Sequence, residues 1–428
     1  MQRKRYVVCG VSTRAIYTYI KNMCSNFKQS TELVGMLDID PLRFSVCREI
    51  NPDMPENIPC YKPEEFDKMI RETRPDAVIV TSMDCTHATY IIQALRHDLD
   101  VITEKPMCTC YEDCLKILEA EKNSRGKVTC TFNYRYSPAH RLIKEMLLEG
   151  KVGRVTHVDL NWYIDIRHGS SYFNRWNRLR KNSGSLSIHK STHHFDLINW
   201  WLDDVPRDVD AFGALNYYGP DGPLNPSRKD GRICSECEER MDCRYYSRWA
   251  TRNSVVEIKD DHLGGFDGKN GSLFTNYKPD MCIFDSEIDI YDTYVVNVRY
   301  KSGALLNYSA NFSTPYEGYR LAVNGTLGRI ETESWNLYRQ CYPLEYERQH
   351  PYVDYYPLFG SRLRMSLPDA SGGHGGGDPL ILEDIFLGTD RRREYRILAD
   401  STDALKSIAI GDAVWHSITE ERRVHLDL

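Results

Sequence analysis

Within residues 183–202, SGSLSIHKSTHHFDLINWWL, five chemically capable side chains fall in eight consecutive positions: His189, Lys190, His193, His194 and Asp196. Imidazoles titrate near neutrality, and a nearby ammonium and carboxylate could bind a polar ligand, move protons or hold a metal. On a helix advancing about 100° per residue, His189, His193 and Asp196 share one face. Phe195, Leu197, Ile198, Trp201 and Leu202 supply the apolar surface that would hold such a helix against a core. The pattern predicts one continuous helix with a polar stripe along the border of a cleft. The histidine spacing also suits helical metal ligands, with Asp196 as the third, although no glutamate follows the first histidine as in zinc proteases.

A second group is thiol chemistry. ICSECEERMDC places Cys234, Cys237 and Cys243 in a polar stretch, close enough to share one ion, whereas tetrahedral zinc wants a fourth ligand. Partly buried, reduced thiols are the plain alternative.

A third group lies at the N-terminus. RYVVCGVSTRAIYTYI runs from a buried-type strand through Gly10-Val11-Ser12-Thr13-Arg14-Ala15, a degraded G-x-G-x-x-G, into a helix. ELVGMLDID ends a second strand at Asp38, where a carboxylate can accept from adenosine ribose hydroxyls, and a helix N-terminus at the turn can hold a pyrophosphate. Arg14 could add a phosphate contact; Asp38 could instead only cap the DIDP turn. A carboxylate there repels a 2'-phosphate, so NAD is expected over NADP, with Arg43 the nearby basic residue.

These groups need a scaffold. DAVIVTS and DVITEKP are two more strands, each preceded by a helical pattern, and such alternation predicts a parallel doubly wound sheet. RVTHVDLNWYIDI, TYVVNVRYKS and ALLNYSANFS alternate like half-exposed antiparallel strands. YYGPDGPLNPSRKDGR and SGGHGGGDPL read as long functional loops, the second carrying His374, and TDALKSIAIGDAVWHSITEE as a late helix around 400–420 that packs back. At 428 residues two domains are expected. A net charge of -6, with 55 basic and 61 acidic residues interspersed, argues against nucleic acid or an anionic membrane as partner. No stretch approaches the roughly 20 apolar residues of a membrane span, and the N-terminus fits a strand better than a signal sequence, so a cytoplasmic protein with reduced thiols is expected.

TEKPM at 103–107, TRPDAVIVTSMDCTHATYIIQAL before it, and FNYRYSP, GKVGRV and HHFDLINWW after it resemble the Gfo/Idh/MocA family of sugar and cyclitol oxidoreductases across essentially the whole chain. The resemblance implies an α/β architecture: an N-terminal Rossmann domain for NAD, placed at 1–128, and a C-terminal α+β domain at 129–428 with an open, mainly antiparallel sheet serving substrate and homo-oligomer contacts. It implies that Asp196 and His193 match the end of an Asp-x-x-x-His-x-x-Asp helix, while His189 stands where an aspartate is usual. It also offers Cys282 as the fourth thiol of a structural zinc.

Oxidising a secondary alcohol requires a group that takes the hydroxyl proton as hydride leaves carbon. His193 and Lys105 are the candidates, the lysine because a cationic nicotinamide beside it would push its ammonium toward neutrality. Gly10, Ser12, Arg14, Asp38, Arg43, Thr81, Glu104, Lys105 and Tyr136 are the cofactor-side candidates. His168, Tyr172, Arg175, Trp176, His189, Lys190, His194, Asp196 and His374 are those for a carbohydrate-like substrate. A glycosidase that oxidises a ring hydroxyl transiently is the alternative, suggested by GGHGGGD; a sensor or scaffold that kept the cofactor fold is another.

Overall fold

The computed structural model describes residues 3–246, 280–336, 351–368, 373–389 and 394–428. The chain divides into two compact units.

Among the described residues, the first unit comprises 3–132 with 280, 378–389 and 394–405. Its sheet runs, in spatial order, Ala399–Asp400, Val128–Cys130, Asp100–Thr103, Ala77–Val80, Lys4–Cys9, Thr31–Leu37, Cys60–Tyr61. All pairs are parallel except the short Ala399–Asp400 edge. Val7, Val8, Cys9 and the whole of Ala77–Val80 are fully buried, as strands covered on both faces must be. Helix Phe66–Thr73 shows why the alternation was legible: Phe66, Met69, Ile70 and Thr73 are its buried residues, one helical face. Strand order reverses between Lys4–Cys9 and Ala77–Val80, which opens a crevice at their carboxyl ends. Residues 378–389 and 394–405 return to this unit because Leu382 and Phe386 join its core, Phe386 edge-on to Tyr6 at 5.3 Å.

The second unit holds a nine-stranded sheet in the order Leu363–Ser366, Tyr352–Pro357, Gly328–Asn336, Glu317–Gly325, Val155–Asp165, Leu305–Thr314, Thr293–Tyr300, Pro206–Ala214, Val424–His425. Its neighbours are antiparallel except Val155–Asp165 beside Leu305–Thr314. Thr293–Tyr300 buries every second residue, so one sheet face is covered and the other is not. Helix Thr192–Leu202 lies on the covered face, where Phe195 meets Tyr308 at 4.9 Å.

Two local expectations are corrected. The stretch 186–202 is not one helix: Leu186–His189 is a single turn, and Thr192–Leu202 begins anew after Ser191. Ser191, at the new helix's N-cap position, makes no side-chain cap bond; its hydroxyl instead accepts from Tyr308. The glycine-rich stretch expected as a loop is instead the start of helix Gly373–Leu387. Buried Ile381, Leu382 and Phe386 hold it, so tertiary burial overrides the poor helix propensity of four glycines and Pro379.

Candidate active site

The first strand ends at Gly10, whose φ of +89° and surroundings admit only glycine: a Cβ would sit 2.4 Å from Ser82 Cα. The two central strands therefore approach closely at the crevice. Thr81, ending the neighbouring strand, donates its hydroxyl to the Gly10 carbonyl at 2.5 Å and locks the turn. Ser12 accepts the Ala15 N–H at 3.2 Å and so starts the following helix.

Asp38 ends the second strand and is buried. Its carboxylate accepts N–H bonds from Val11 at 2.6 Å and Asp40 at 2.8 Å, with Arg43 Nε at 4.0 Å. Each oxygen keeps a further lone pair, so these bonds orient the group without exhausting it. Burial raises its pKa, and Arg43 and the two N–H bonds offset that only in part.

Arg14, the candidate phosphate contact, is engaged by two carboxylates. Its guanidinium donates to Glu104 Oε1 at 2.7 Å and to both oxygens of Asp378 at 2.9 Å. Tyr19 also donates to Glu104, at 2.8 Å. Glu104 is thus the centre of a buried network: burial raises its carboxyl pKa, Arg14 and Tyr19 pull it down, and the net shift is downward. The network pins the Glu104-Lys105-Pro106 turn at the carboxyl end of Asp100–Thr103, where the Lys105 N–H bonds to Glu104 Oε2 at 3.3 Å.

In the second unit the polar groups of the 186–202 stretch separate into distinct roles. His193, buried on Thr192–Leu202, is stacked under Tyr134, with centroids 4.2 Å apart and planes at 12°. Lys190 donates its ammonium to the Tyr134 hydroxyl at 3.0 Å. Burial works against the Lys190 charge, but Tyr134, Tyr172 and Glu317 outweigh it and its pKa rises, so lysine is cationic at neutral pH. His168 bridges Glu317 (Nδ1, 3.0 Å) and the Tyr172 hydroxyl (Nε2, 2.8 Å), a carboxylate–imidazole–phenol chain. His189 accepts from the Asn177 amide at 3.2 Å and meets the edges of Tyr172 and Trp176 at 5.5 and 5.7 Å. Arg175 Nε is buried with no acceptor among the described residues.

Three candidates do other work. Both Asp196 oxygens are taken by Arg135, at 2.7 and 2.6 Å, with each side chain 1% exposed. Asp196, a candidate ligand-facing carboxylate and third metal ligand, is here one half of a buried ion pair. His194 is core: it bonds the Tyr308 hydroxyl at 2.8 Å and stacks on Trp162 at 3.8 Å. Tyr136 is 1% exposed. Its neighbour Tyr134, in the same FNYRYSP run, is the residue sequence reasoning missed, because a short 3-10 turn at Asn133–Tyr136 does not reveal its facing by period. His374 lies in the Gly373–Leu387 helix, its side chain outside the described residues.

Cys234, Cys237, Cys243 and Cys282 line a single cavity, although no group of three or more metal-binding side chains among the described residues stands arranged to hold an ion. No helix among them is long and apolar enough to cross a membrane.

Comparison with known proteins agrees with this architecture. Residues 4–132 match the oxidoreductase family's NAD-binding Rossmann fold, GFO_IDH_MocA, and 144–426 its C-terminal alpha/beta domain. A Bacillus subtilis (strain 168) protein named "Putative oxidoreductase YteT" is 53% identical over 422 residues, 98% of this chain and 97% of that one. Inositol 2-dehydrogenase of Rubrobacter xylanophilus is 28% identical over 144 residues, 33% of this chain and 38% of that one. The solved structure of a levoglucosan dehydrogenase, complexed with NADH and levoglucosan, shares the fold with a TM-score of 0.67 at 15% identity, covering 99% of each chain.

Proposed function

Because the chain belongs to the Gfo/Idh/MocA oxidoreductase family, whose chemistry is on CH–OH groups, we propose that it transfers hydride between a secondary hydroxyl of a sugar, sugar derivative or cyclitol and NAD. The first unit's residues fit the dinucleotide: Gly10 leaves no side chain at the crevice, and Asp38 offers an oriented carboxylate for ribose hydroxyls. When bound, the nicotinamide supplies the hydride acceptor. Lys105 and His193 are the proposed proton-handling groups, and Arg14, through Glu104, fixes the backbone that carries Lys105. Lys190, Tyr172, Arg175, His168 and His189 are the proposed contacts to substrate hydroxyls.

The observation that carries this reading is the buried stack of His193 on Tyr134 with the Lys190 ammonium on the phenol oxygen. A buried imidazole and cation so close together are costly for a core and useful for alcohol chemistry. The names of the relatives support the substrate class, through the inositol and levoglucosan dehydrogenases. The glycine-rich stretch that suggested a glycosidase forms the start of a helix here, and the preference for dehydrogenation rests on the named dehydrogenases among the relatives. The uncovered sheet face, with Phe212 opposite Val295, suits self-association. A zinc at the cysteines would be structural and separate from hydride transfer.

The test is a screen of sugars, cyclitols and glycosides against the NAD-loaded protein. Net NADH formation is expected. Aglycone release without net NADH would replace the reading by the glycosidase, and NAD binding with no turnover on any class by a sensor.

A further inference from the structure

Between strand Pro206–Ala214 and strand Thr293–Tyr300, the described chain at 215–246 carries the three-residue turn Cys234–Glu236 and, at 244–246, residues in helical conformation. It is tied to residues after 280 by a bridge from Ile233 to Met281 and by the Cys282 N–H donating to the Arg232 carbonyl at 2.8 Å. This pairing brings Cys282, far along the chain, to the cavity lined by Cys234, Cys237 and Cys243. The cavity measures about 20 Å³, room for one water-sized sphere or ion.

Arg232 lines the same cavity and is 9% exposed. Its Nη2 donates to Asn225 at 2.9 Å, but Nε and Nη1 are buried without an acceptor among the described residues. Buried guanidinium donors without acceptors cost free energy, and neutral thiols are poor acceptors. Thiolates on a divalent cation would be good ones.

We propose that Cys234, Cys237, Cys243 and Cys282 form a tetrahedral zinc site whose excess negative charge is met by Arg232 and by Arg240, which also lines the cavity. Four thiols bind one Zn²⁺ and release four protons to solvent, leaving a centre of charge −2. Side-chain rotation must draw the sulfurs together, and Cys237 gives up its bond to Glu239, 3.3 Å. The ion staples the long 215–246 segment to the sheet, and the proposal does not rest on the dehydrogenase reading.

The test uses the full chain purified without chelator. Elemental analysis should find about one zinc per chain, and cobalt replacement should give the intense visible bands and near-ultraviolet charge transfer of a tetrahedral thiolate site. Cys237→Ser and Cys282→Ser should each lose most of the metal while NAD binding persists. Arg232→Met should keep the metal but release it to a chromophoric chelator several-fold faster. Zinc-free protein that gives no thiolate–cobalt spectrum overturns the proposal, as does zinc unaffected by both serine variants. If those variants are insoluble, the wild-type cobalt spectrum decides alone, thiolate bands for and their absence against.

Discussion

The ring of Tyr134 lies flat on the imidazole of His193, 4.2 Å between centroids, while its hydroxyl accepts from Lys190 at 3.0 Å. One tyrosine thus joins the base candidate to the buried cation. Tyr134→Phe keeps the stack and deletes the hydroxyl, so kcat should fall about tenfold with KM little changed, below the scale of a lost acid/base group. An unchanged kcat would reduce Tyr134 to packing.

His193→Ala and Lys105→Ala should each slow hydride transfer by about 10²-fold or more and leave NAD affinity nearly intact. Single-turnover NAD reduction and calorimetric titration separate the two effects. Normal single-turnover rates in both variants would remove these residues from the chemistry.

NAD should bind more tightly than NADP. A 2'-phosphate would meet the Asp38 carboxylate, and the nearby Arg43 already stands 4.0 Å from that same group. Titration of both dinucleotides checks this, and Asp38→Ser should narrow the preference roughly tenfold. Equal or tighter NADP binding by the unmodified protein would contradict the assignment.

His140 predicts a pH effect on stability. Burial lowers its pKa to about 4, against the opposing effect of its Nδ1–H bond to the Tyr134 carbonyl at 2.7 Å. A histidine with a depressed folded pKa binds its proton more readily when unfolded. Its contribution is therefore full above about pH 6.5 and is lost as pH falls toward 4, by up to about 3 kcal/mol. Denaturant unfolding across that window should show the slope, and His140→Gln should flatten it.

Ser185 holds φ +82° and ψ 172°, a conformation suited to glycine. Its hydroxyl bonds to Ser187 at 2.6 Å, which offsets part of the strain. Ser185→Gly should raise stability by about 1 kcal/mol, read from the urea midpoint. A loss of stability would show that the hydroxyl contact outweighs the strain.

The strand–helix alternation, the Gly10 turn, Asp38 at its strand end and the cluster Cys234, Cys237 and Cys243 were legible in the amino-acid order alone, since each is a matter of short-range period, turn geometry or spacing. The pairings that give the side chains their roles were not. Arg14 meets Asp378 across 364 residues and His168 meets Glu317 across 149. No local pattern encodes such partners, because they depend on where two distant backbones converge. Asp196 shows the consequence: its spacing marked it as part of a polar stripe, and only the fold, by burying Arg135 beside it, turned it into half of an internal ion pair. Tertiary burial likewise made a helix of the glycine-rich stretch and broke the helix at Ser191, since contacts from Phe386 and Tyr308 outweigh the weak preferences of single residues.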